Sequence, residues 1–372
     1  MKCANCNEPT TLACSGCQGS PVLEGDADIA YYCNATCQRA NWKDHKPVCQ
    51  LLKDRTKLYR VLAIAQRLWY IYRELTWAQL DIHSVEKSGE EFILRGTIDR
   101  DARWPVDYKV FPSHLLPLKE DKEAVLSYNG CVDGALWIVE VVEGWLKDIV
   151  SETQQVRHWT TNDLRTMSFQ PASAIHILDT LSVVHDIIKI TLRSGETFAI
   201  DLAGAQYGYH DPIMEWERYK KLRILEDLSS TVPPPVAYGV AQLLQPNLQN
   251  KYLLASMRKY SVGVGYGDTL GIMNYHILEW LLDEHLTFEN LLKLPEERYE
   301  KKRDDLIDFV EWTFHGVVKK PYFTVNGTEA CHVKWESGTK VLIMHGSAEC
   351  RVVRFGEEIV ILTTGDSGIE NF

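Results

Sequence analysis

The chain has 372 residues, a length that accommodates two or three domains, and 45% of them are hydrophobic, with 11 Trp and 17 Tyr. This composition excludes a disordered or low-complexity chain and predicts a well-packed globular body. The net charge of −11 argues against a general nucleic-acid-binding protein, because such a protein needs positive charge to neutralise phosphates.

The sequence also lacks the apolar segments that are typical of membrane and secreted proteins. No run reaches the roughly 18 uninterrupted apolar residues of a membrane span, and even the apolar stretch 132–142 contains Asp133 and Glu140. Residues 1–6 have no apolar core, so they do not form a signal peptide. We therefore expect an intracellular protein, in the cytoplasm or the nucleus, with no membrane partner.

Four closely spaced pairs of metal-binding residues lie at the start of the chain. They are Cys3, Cys6, Cys14, Cys17, Cys33, Cys37, His45 and Cys49, in the pattern C-x2-C-x7-C-x2-C-x15-C-x3-C-x7-H-x3-C. Eight ligands are what two closed tetrahedral zinc sites require, and thiolates with one imidazole suit Zn²⁺. The regular gaps favour metal ligation over a disulfide framework. The sequence therefore predicts two bound zinc ions.

The spacing of the last two pairs also predicts local structure. Cys33 and Cys37, like His45 and Cys49, are about one helical turn apart, so each pair is expected on one face of a short helix. Pro47 is expected to limit the second of these helices. A unit of this size has almost no apolar core, so bound metal must supply much of its folding energy.

Residues 32–49, with the sequence Tyr-Cys-Asn-Ala-Thr-Cys-Gln-Arg-Ala-Asn-Trp-Lys-Asp-His-Lys-Pro-Val-Cys, resemble the second half of a MYND-type zinc finger. That family has Tyr-Cys, Cys-Gln, a Trp and His-Lys-x-x-Cys in this order, and the resemblance covers residues 3–49. It implies two interleaved zinc sites with the following ligands: Cys3, Cys6, Cys33 and Cys37 on one ion, and Cys14, Cys17, His45 and Cys49 on the other.

The resemblance also implies recognition of a partner protein, often through a short proline-containing peptide. Between Cys17 and Cys33 the chain has residues 18–32, where the family usually has only a few residues, and this longer segment leaves the identity of the partner open. Residues 1–52 carry four basic and five acidic side chains, and ligating thiolates would add negative charge, so a protein is favoured over a nucleic acid. The Asn-His-Ser-Cys cofactor motif of SET-type lysine methyltransferases, which often carry this finger, is absent, so that activity is not expected.

The first half of the body mixes helices and strands. Apolar residues at helical spacing predict one long helix over residues 51–80. Residues 84–118 predict loops and edge strands, with a β-like stretch over residues 91–98. Residues 131–150 predict a helix. Three β-branched stretches then predict strands, the last two joined by a hairpin turn at residues 193–196; they are residues 175–181, 184–192 and 197–202.

The second half is predicted to be mainly helical, with a β-rich end. Residues 212–228 predict a helix, and the proline triplet 233–235 a rigid break. Helices are expected over residues 237–318, and a small antiparallel sheet over residues 321–364. The predicted organisation has four parts: a finger (1–52), an α+β body (53–232), a helical region (233–320) and a β-rich region (321–372).

A second candidate site in the body involves Cys131, His185 and Asp201. His185 opens one predicted strand and Asp201 closes the next, so pairing of these antiparallel strands would place them side by side. Cys131 opens a predicted helix, whose N-terminus favours a thiolate. Cys131 would then be the nucleophile, His185 the general base and Asp201 the residue that orients the imidazole.

This order of Cys, His and Asp resembles the core of transglutaminase-like (papain-like) cysteine hydrolases. Residues 201–206, Asp-Leu-Ala-Gly-Ala-Gln, resemble the Asp-Pro-Thr element of that family with its Pro and Thr replaced and a Gln nearby. The replacement is also compatible with a core that has no catalytic activity. In that alternative, Cys131 is an inert residue at a helix start and His185 caps a strand.

The sequence thus predicts an α+β protein with a small N-terminal double-zinc MYND finger, a mixed helix and antiparallel-sheet body, and a β-rich C-terminal tail. The preferred function is zinc-dependent protein recognition, with a protein or proline-containing peptide as partner. The alternative function is a transglutaminase- or papain-like thiol hydrolase that uses Cys131, His185 and Asp201.

Overall fold

The computed structural model describes residues 1–26, 29–77, 80–98, 111–171, 178–179, 184–229 and 266–318, and five strands between residues 323 and 363. These residues form seven α-helices: α1 (Ala35–Leu75), α2 (Lys119–Ser127), α3 (Cys131–Val141), α4 (Trp216–Arg223), α5 (Tyr266–Asp283), α6 (Phe288–Leu292) and α7 (Glu296–Val318). None of them is by itself long and apolar enough to span a membrane, although the bent pair Lys119–Ser127 and Cys131–Leu146 together has the length and composition of a span.

The same residues form fourteen strands in three sheets. The strands are β1 (Leu80–Ser88), β2 (Glu91–Ile98), β3 (Val150–Thr160), β4 (Thr166–Pro171), β5 (Leu178–Asp179), β6 (His185–Leu192), β7 (Thr197–Ile200), β8 (Ile213–Glu215), β9 (Ile224–Asp227), β10 (Phe323–Val325), β11 (Thr328–Glu336), β12 (Thr339–Met344), β13 (Glu349–Phe355) and β14 (Glu358–Thr363). The sheet orders are β1-β2-β4-β5, β8-β7-β6-β3-β9 and β10 to β14 in sequence. The predicted α+β class and the C-terminal antiparallel sheet are confirmed. One pair departs from the prediction, because β2 and β4 run parallel.

Helix α1 joins the finger to the body. It begins after Asn34, whose side-chain oxygen accepts a hydrogen bond from the Cys37 N–H at 3.0 Å. It continues for 41 residues, about 60 Å at 1.5 Å per residue. The sequence predicted short helices at the last two ligand pairs and a separate long helix over residues 51–80. This prediction was wrong, because α1 passes through Pro47 without a break and ends at Leu75. The proline removes one backbone hydrogen bond, and buried contacts on both sides of it hold the helix together.

One hydrophobic core surrounds the second half of α1. Leu62, Leu68 and Trp69 are fully buried, and they share this core with side chains from two of the sheets and from helices α5 to α7. Polar contacts reinforce the packing, since the Arg60 guanidinium donates to the carbonyls of Leu292 and Leu294, both at 2.7 Å. The C-terminal half of α1 is therefore the centre of the body.

Two predicted helices differ from the structure. The helix expected over 131–150 ends at Val141, a π-type turn follows, and β3 begins at Val150. β3 has no apolar alternation in its first half, where residues 151–154 are exposed, so no strand pattern was visible. The segment 212–228 is a strand, a helix and a strand, because β8 pairs with β7 and β9 pairs with β3.

Several other predictions for the body agree where the structure describes the chain, but β2 is not an edge strand, because it lies between β1 and β4. β2, the β6–β7 hairpin and helices α5 to α7 lie where they were expected. Gly195, at a φ of +91°, allows the tight turn of the hairpin. Most of the predicted strand 175–181, the prolines at 233–235 and residues 237–265 lie outside the described residues. The four-part division of the chain stays a prediction.

A buried guanidinium ties the finger to the body. Arg55 of α1, only 1% exposed, pairs with Asp26 of the finger and with Glu196 of the β6–β7 hairpin. It also donates to the Pro21 carbonyl at 2.7 Å. Pro21 and Asp26, which belong to the segment that is long for a MYND-type finger, therefore contact α1 and are linked to the hairpin through Arg55.

We expect Arg55→Met to lower the free energy of unfolding by about 3 kcal/mol, because it leaves two carboxylates and a carbonyl without their buried donor. Urea denaturation of the zinc-loaded chain measures this change. Lys57→Met is the matched control, since it removes an exposed ion pair with Asp148 from the same helix, and should cost less than about 1 kcal/mol. Equal losses in the two variants would show that Arg55 does not anchor the finger.

Candidate zinc centre and thiol site

The eight predicted ligands of the finger form two clusters in the structure. Within each cluster the ligand atoms lie within 4.8 Å of one another, and the clusters are interleaved as the resemblance implies. The members are Cys3, Cys6, Cys33 and Cys37 in the first cluster, and Cys14, Cys17, His45 and Cys49 in the second. α1 supplies Cys37, His45 and Cys49, and the loops before it supply the rest.

The separations within the clusters fit tetrahedral zinc, in which ligand sulfurs lie about 3.8 Å apart. The Sγ of Cys6 lies 3.6 Å from that of Cys33 and 3.7 Å from that of Cys37. In the second cluster, Cys14 Sγ lies 3.9 Å from Cys49 Sγ, and Cys17 Sγ lies 3.7 Å from His45 Nε2. The residues present can therefore hold two zinc ions without rearrangement.

Electrostatics also favours a cation at each cluster. Burial and the neighbouring Cys14 raise the pKa of Cys17 to about 12, and hydrogen bonds with Cys37 and Cys6 raise the pKa of Cys33 to about 12. Thiols packed this closely cannot all ionise without a positive charge between them. Zn²⁺ supplies that charge and deprotonates its thiol ligands. Burial lowers the pKa of His45, which favours the neutral imidazole that zinc requires.

Neighbouring residues hold the ligands in place. Asn5 donates to Cys37 Sγ and Gln38 donates to Cys14 Sγ, both at 3.5 Å. Each of the two N-terminal Cys-x2-Cys loops is therefore linked to α1. Gly16 lies so close to the second cluster that a Cβ there would be 2.9 Å from Cys49 Sγ. The hydrophobic cluster of the finger contains six buried residues, of which only Tyr32 and Leu52 are not ligands. A unit with so small a core depends on its metal to fold.

The structure also brings together the three residues of the second candidate site. Cys131 is the first residue of α3, His185 the first residue of β6, and Asp201 directly follows β7. The His185 Nε2 lies 2.9 Å from Asp201 Oδ2, as the predicted hairpin requires. His185 is fully buried, Asp201 is nearly so, and Cys131 is partly exposed.

The charges of this site are coupled. Burial lowers the pKa of His185, but the charge and hydrogen bond of Asp201, with a smaller effect of Cys131, raise it to about 10. The pKa of Asp201 is lowered: burial opposes this, and His185 provides the largest favourable effect. Near neutral pH the two side chains therefore form a buried ion pair. The His185 Nδ1 has no aligned hydrogen bond to any described residue. The Cys131 thiol lies close enough to His185 to contribute to the raised pKa of the imidazole.

The start of α3 is rigidly held beside this pair. Arg73 donates to the carbonyls of Leu126 and Tyr128, at 2.9 and 3.0 Å, and so fixes the segment before Cys131. Gly130 fits this position closely, because a Cβ there would lie 3.0 Å from the buried Trp69 ring. Gln206 is the last residue of the segment 201–206 that resembles the Asp-Pro-Thr element of transglutaminase-like hydrolases.

The Gln206 side chain accepts from the Asn129 N–H at 3.2 Å and donates to the Ala203 carbonyl at 3.0 Å. It thereby connects the loop before Cys131 to the loop after Asp201.

Sequence reasoning missed three residues of this site. Tyr219 donates to Asp201 Oδ2 at 3.0 Å, and His158 lies opposite His185 on the paired strands, with ring centroids 5.4 Å apart. Arg223, fully buried, lies close enough for its charge to help lower the pKa of Asp201. No local spacing marks these residues, because the strand pairing of β3 and the packing of α4 bring them in.

We expect the purified chain to contain two zinc ions, and Cys49→Ala to contain fewer, because the remaining three ligands cannot close a tetrahedral site. Elemental analysis of the metal content measures both. Cys131→Ala removes a thiol outside the clusters and should keep both ions. A metal-free wild type, or amide-exchange protection of residues 1–52 that survives chelation, would contradict the zinc assignment.

Residues 3–49 match the family model of the MYND finger. No curated protein and no solved structure matches the chain, so the resemblance of the body to transglutaminase-like hydrolases gains no support from these comparisons. The N-terminal segment of this chain is a MYND finger with two metal-binding sites.

Proposed function

We propose that this chain is a zinc-dependent recognition protein whose finger binds a segment of a partner protein. The observation that carries this proposal is the pair of preformed four-ligand clusters in a segment that matches the MYND finger. MYND fingers are in general protein-interaction modules. A proline-containing peptide is the partner chemistry proposed here, in a reducing intracellular compartment where the ligand thiols stay free.

The surface of the finger supports a protein partner. Among the described residues, five of the eleven exposed large hydrophobic side chains belong to the first 49 residues: Met1, Leu12, Val22, Trp42 and Val48. These apolar side chains are exposed and can contact a partner. Trp42 is 40% exposed, and an aromatic ring is a good platform for a proline side chain. The excess of acidic over basic residues makes a phosphate backbone an unfavourable partner.

We expect Trp42→Ala to weaken partner binding about tenfold or more, because exposed aromatic anchors contribute most to such interfaces. Proline-containing peptides selected by display on the wild-type chain supply the ligand, and fluorescence anisotropy measures affinity. Trp312→Ala is the matched control, since Trp312 is 75% exposed on α7 and lies outside the finger.

Two further variants separate the finger from the body. Cys33→Ala should abolish binding through loss of a zinc ligand, whereas Cys131→Ala should leave it unchanged. If Trp42→Ala retains its zinc and binds as tightly as Trp312→Ala, the exposed face around Trp42 is not the recognition surface.

A second function is favoured by one specific observation at the site formed by Cys131, His185 and Asp201, the thiol site. Asp201 holds the His185 Nε2, and the other ring nitrogen, Nδ1, is buried without an aligned partner. The Cys131 thiol is close enough to His185 to influence its pKa. We propose that this set can act as a nucleophilic thiol on an amide. In the reacting form the proton of Cys131 lies on the imidazolium of His185. The sulfur would bond to the acyl carbon, and Nδ1 of the imidazolium would give a proton to the leaving nitrogen as the carbon–nitrogen bond breaks. Water or an amine would then cleave the acyl–sulfur bond and regenerate the thiol.

We expect His185→Gln to slow alkylation of Cys131 by iodoacetamide at least about tenfold, because the thiolate loses the imidazolium charge that stabilises it. The rate is measured at neutral pH in the zinc-loaded chain, with the labelled residue identified by mass spectrometry. The control is His276→Gln, which removes another buried histidine paired with a carboxylate, 3.2 Å from Glu279. A His185→Gln variant that reacts at the wild-type rate would eliminate the thiol function and leave the finger function untouched.

A further inference from the structure

Asp201 is held through both of its carboxylate oxygens. Oδ1 accepts the Ala203 N–H at 3.1 Å, which fixes the carboxylate to its own backbone turn. Oδ2 accepts from two donors, the His185 Nε2 at 2.9 Å and the Tyr219 hydroxyl at 3.0 Å. The oxygen that contacts the imidazole is therefore the same one that Tyr219 holds.

Tyr219 is well placed to act as a fixed donor. It is 3% exposed, and its ring packs with Val156, Ile187 and Trp216 in a hydrophobic cluster on the outer face of the sheet that contains β6. Burial and the charge of Asp201 raise the pKa of Tyr219 well above its ordinary value. The hydroxyl therefore keeps its proton near neutral pH and can donate it to Asp201.

A second buried imidazole competes weakly for that proton. The His158 Nδ1 lies 3.0 Å from the Trp159 carbonyl, which can only accept, so Nδ1 carries the hydrogen and Nε2 is left as an acceptor. Nε2 lies 3.4 Å from the Tyr219 hydroxyl, farther than Asp201 Oδ2 at 3.0 Å. The shorter bond to a charged oxygen is the stronger one, so the Tyr219 proton points to Asp201.

We infer that Tyr219 is a positioning residue of the thiol site: its hydroxyl fixes Asp201 Oδ2 against His185 Nε2, and so directs the His185 Nδ1 to Cys131. The inference rests on the second function proposed above. Without the hydroxyl, the carboxylate keeps the Ala203 N–H and the bond to His185 itself, so the carboxylate and the imidazole can turn together. The imidazole would then lose the fixed orientation that presents Nδ1 to the sulfur.

The test is the rate at which iodoacetamide alkylates Cys131 in the full, zinc-loaded chain. Tyr219→Phe keeps the packed ring and removes only the hydroxyl, and it should slow the reaction about tenfold, the size expected for one lost hydrogen bond to a charged group. Tyr299→Phe is the matched control, because it also removes one buried, bonded hydroxyl, 2.7 Å from the Arg60 carbonyl, away from this site. It should react at the wild-type rate.

A double-mutant comparison separates positioning from general destabilisation. If Tyr219 acts through Asp201, adding Tyr219→Phe to Asp201→Asn should slow the reaction no further. Full additivity, or a wild-type rate in Tyr219→Phe, would overturn the positioning role. If His185→Gln and Asp201→Asn both react like wild type, the thiol function itself fails and the positioning role falls with it.

Discussion

The continuity of helix α1 is the constraint on which the rest of the structure depends. One end of this helix supplies Cys37, His45 and Cys49 to the metal clusters, and the other end is the buried centre of the body. Between them, Arg55 neutralises carboxylates from the finger and from the β6–β7 hairpin. The unbroken helix and the Arg55 contacts together hold the finger on the body. The recognition surface proposed around Trp42 is thus carried by an element of the body's own core.

The parts of the structure that the sequence could predict are those with local signals. The zinc ligands and the β6–β7 hairpin were predictable because their signals are local: paired spacings in one case, and β-branched runs around a turn with Gly195 in the other. The contact of His185 with Asp201 followed from the hairpin, since antiparallel pairing places strand ends side by side. The continuity of α1 did not follow, because a proline at position 47 normally argues for a helix boundary.

The missed elements are those whose structure is determined by distant partners. β3 is half exposed along its length, and it is a strand because β6 pairs with it, which also brings His158 opposite His185. Tyr219 lies on a short helix that the sequence pattern extended into its flanking strands. Its contact with Asp201 arises only when α4 packs on the sheet. Long-range pairing of this kind overrides local propensity and leaves no periodic signal.

The finger and the thiol site deal with the same electrostatic difficulty in different ways. Each brings ionisable groups out of water, which is unfavourable unless the opposite charge is buried with them. In the finger the clustered thiols require an external cation, so its folding is coupled to metal. In the body the counter-charges belong to the chain, since Asp201 faces His185 and the charge of Arg223 also stabilises the carboxylate. The thiol site can therefore be preformed by folding alone, but only on a body whose central helix is α1, the helix that also carries three of the zinc ligands.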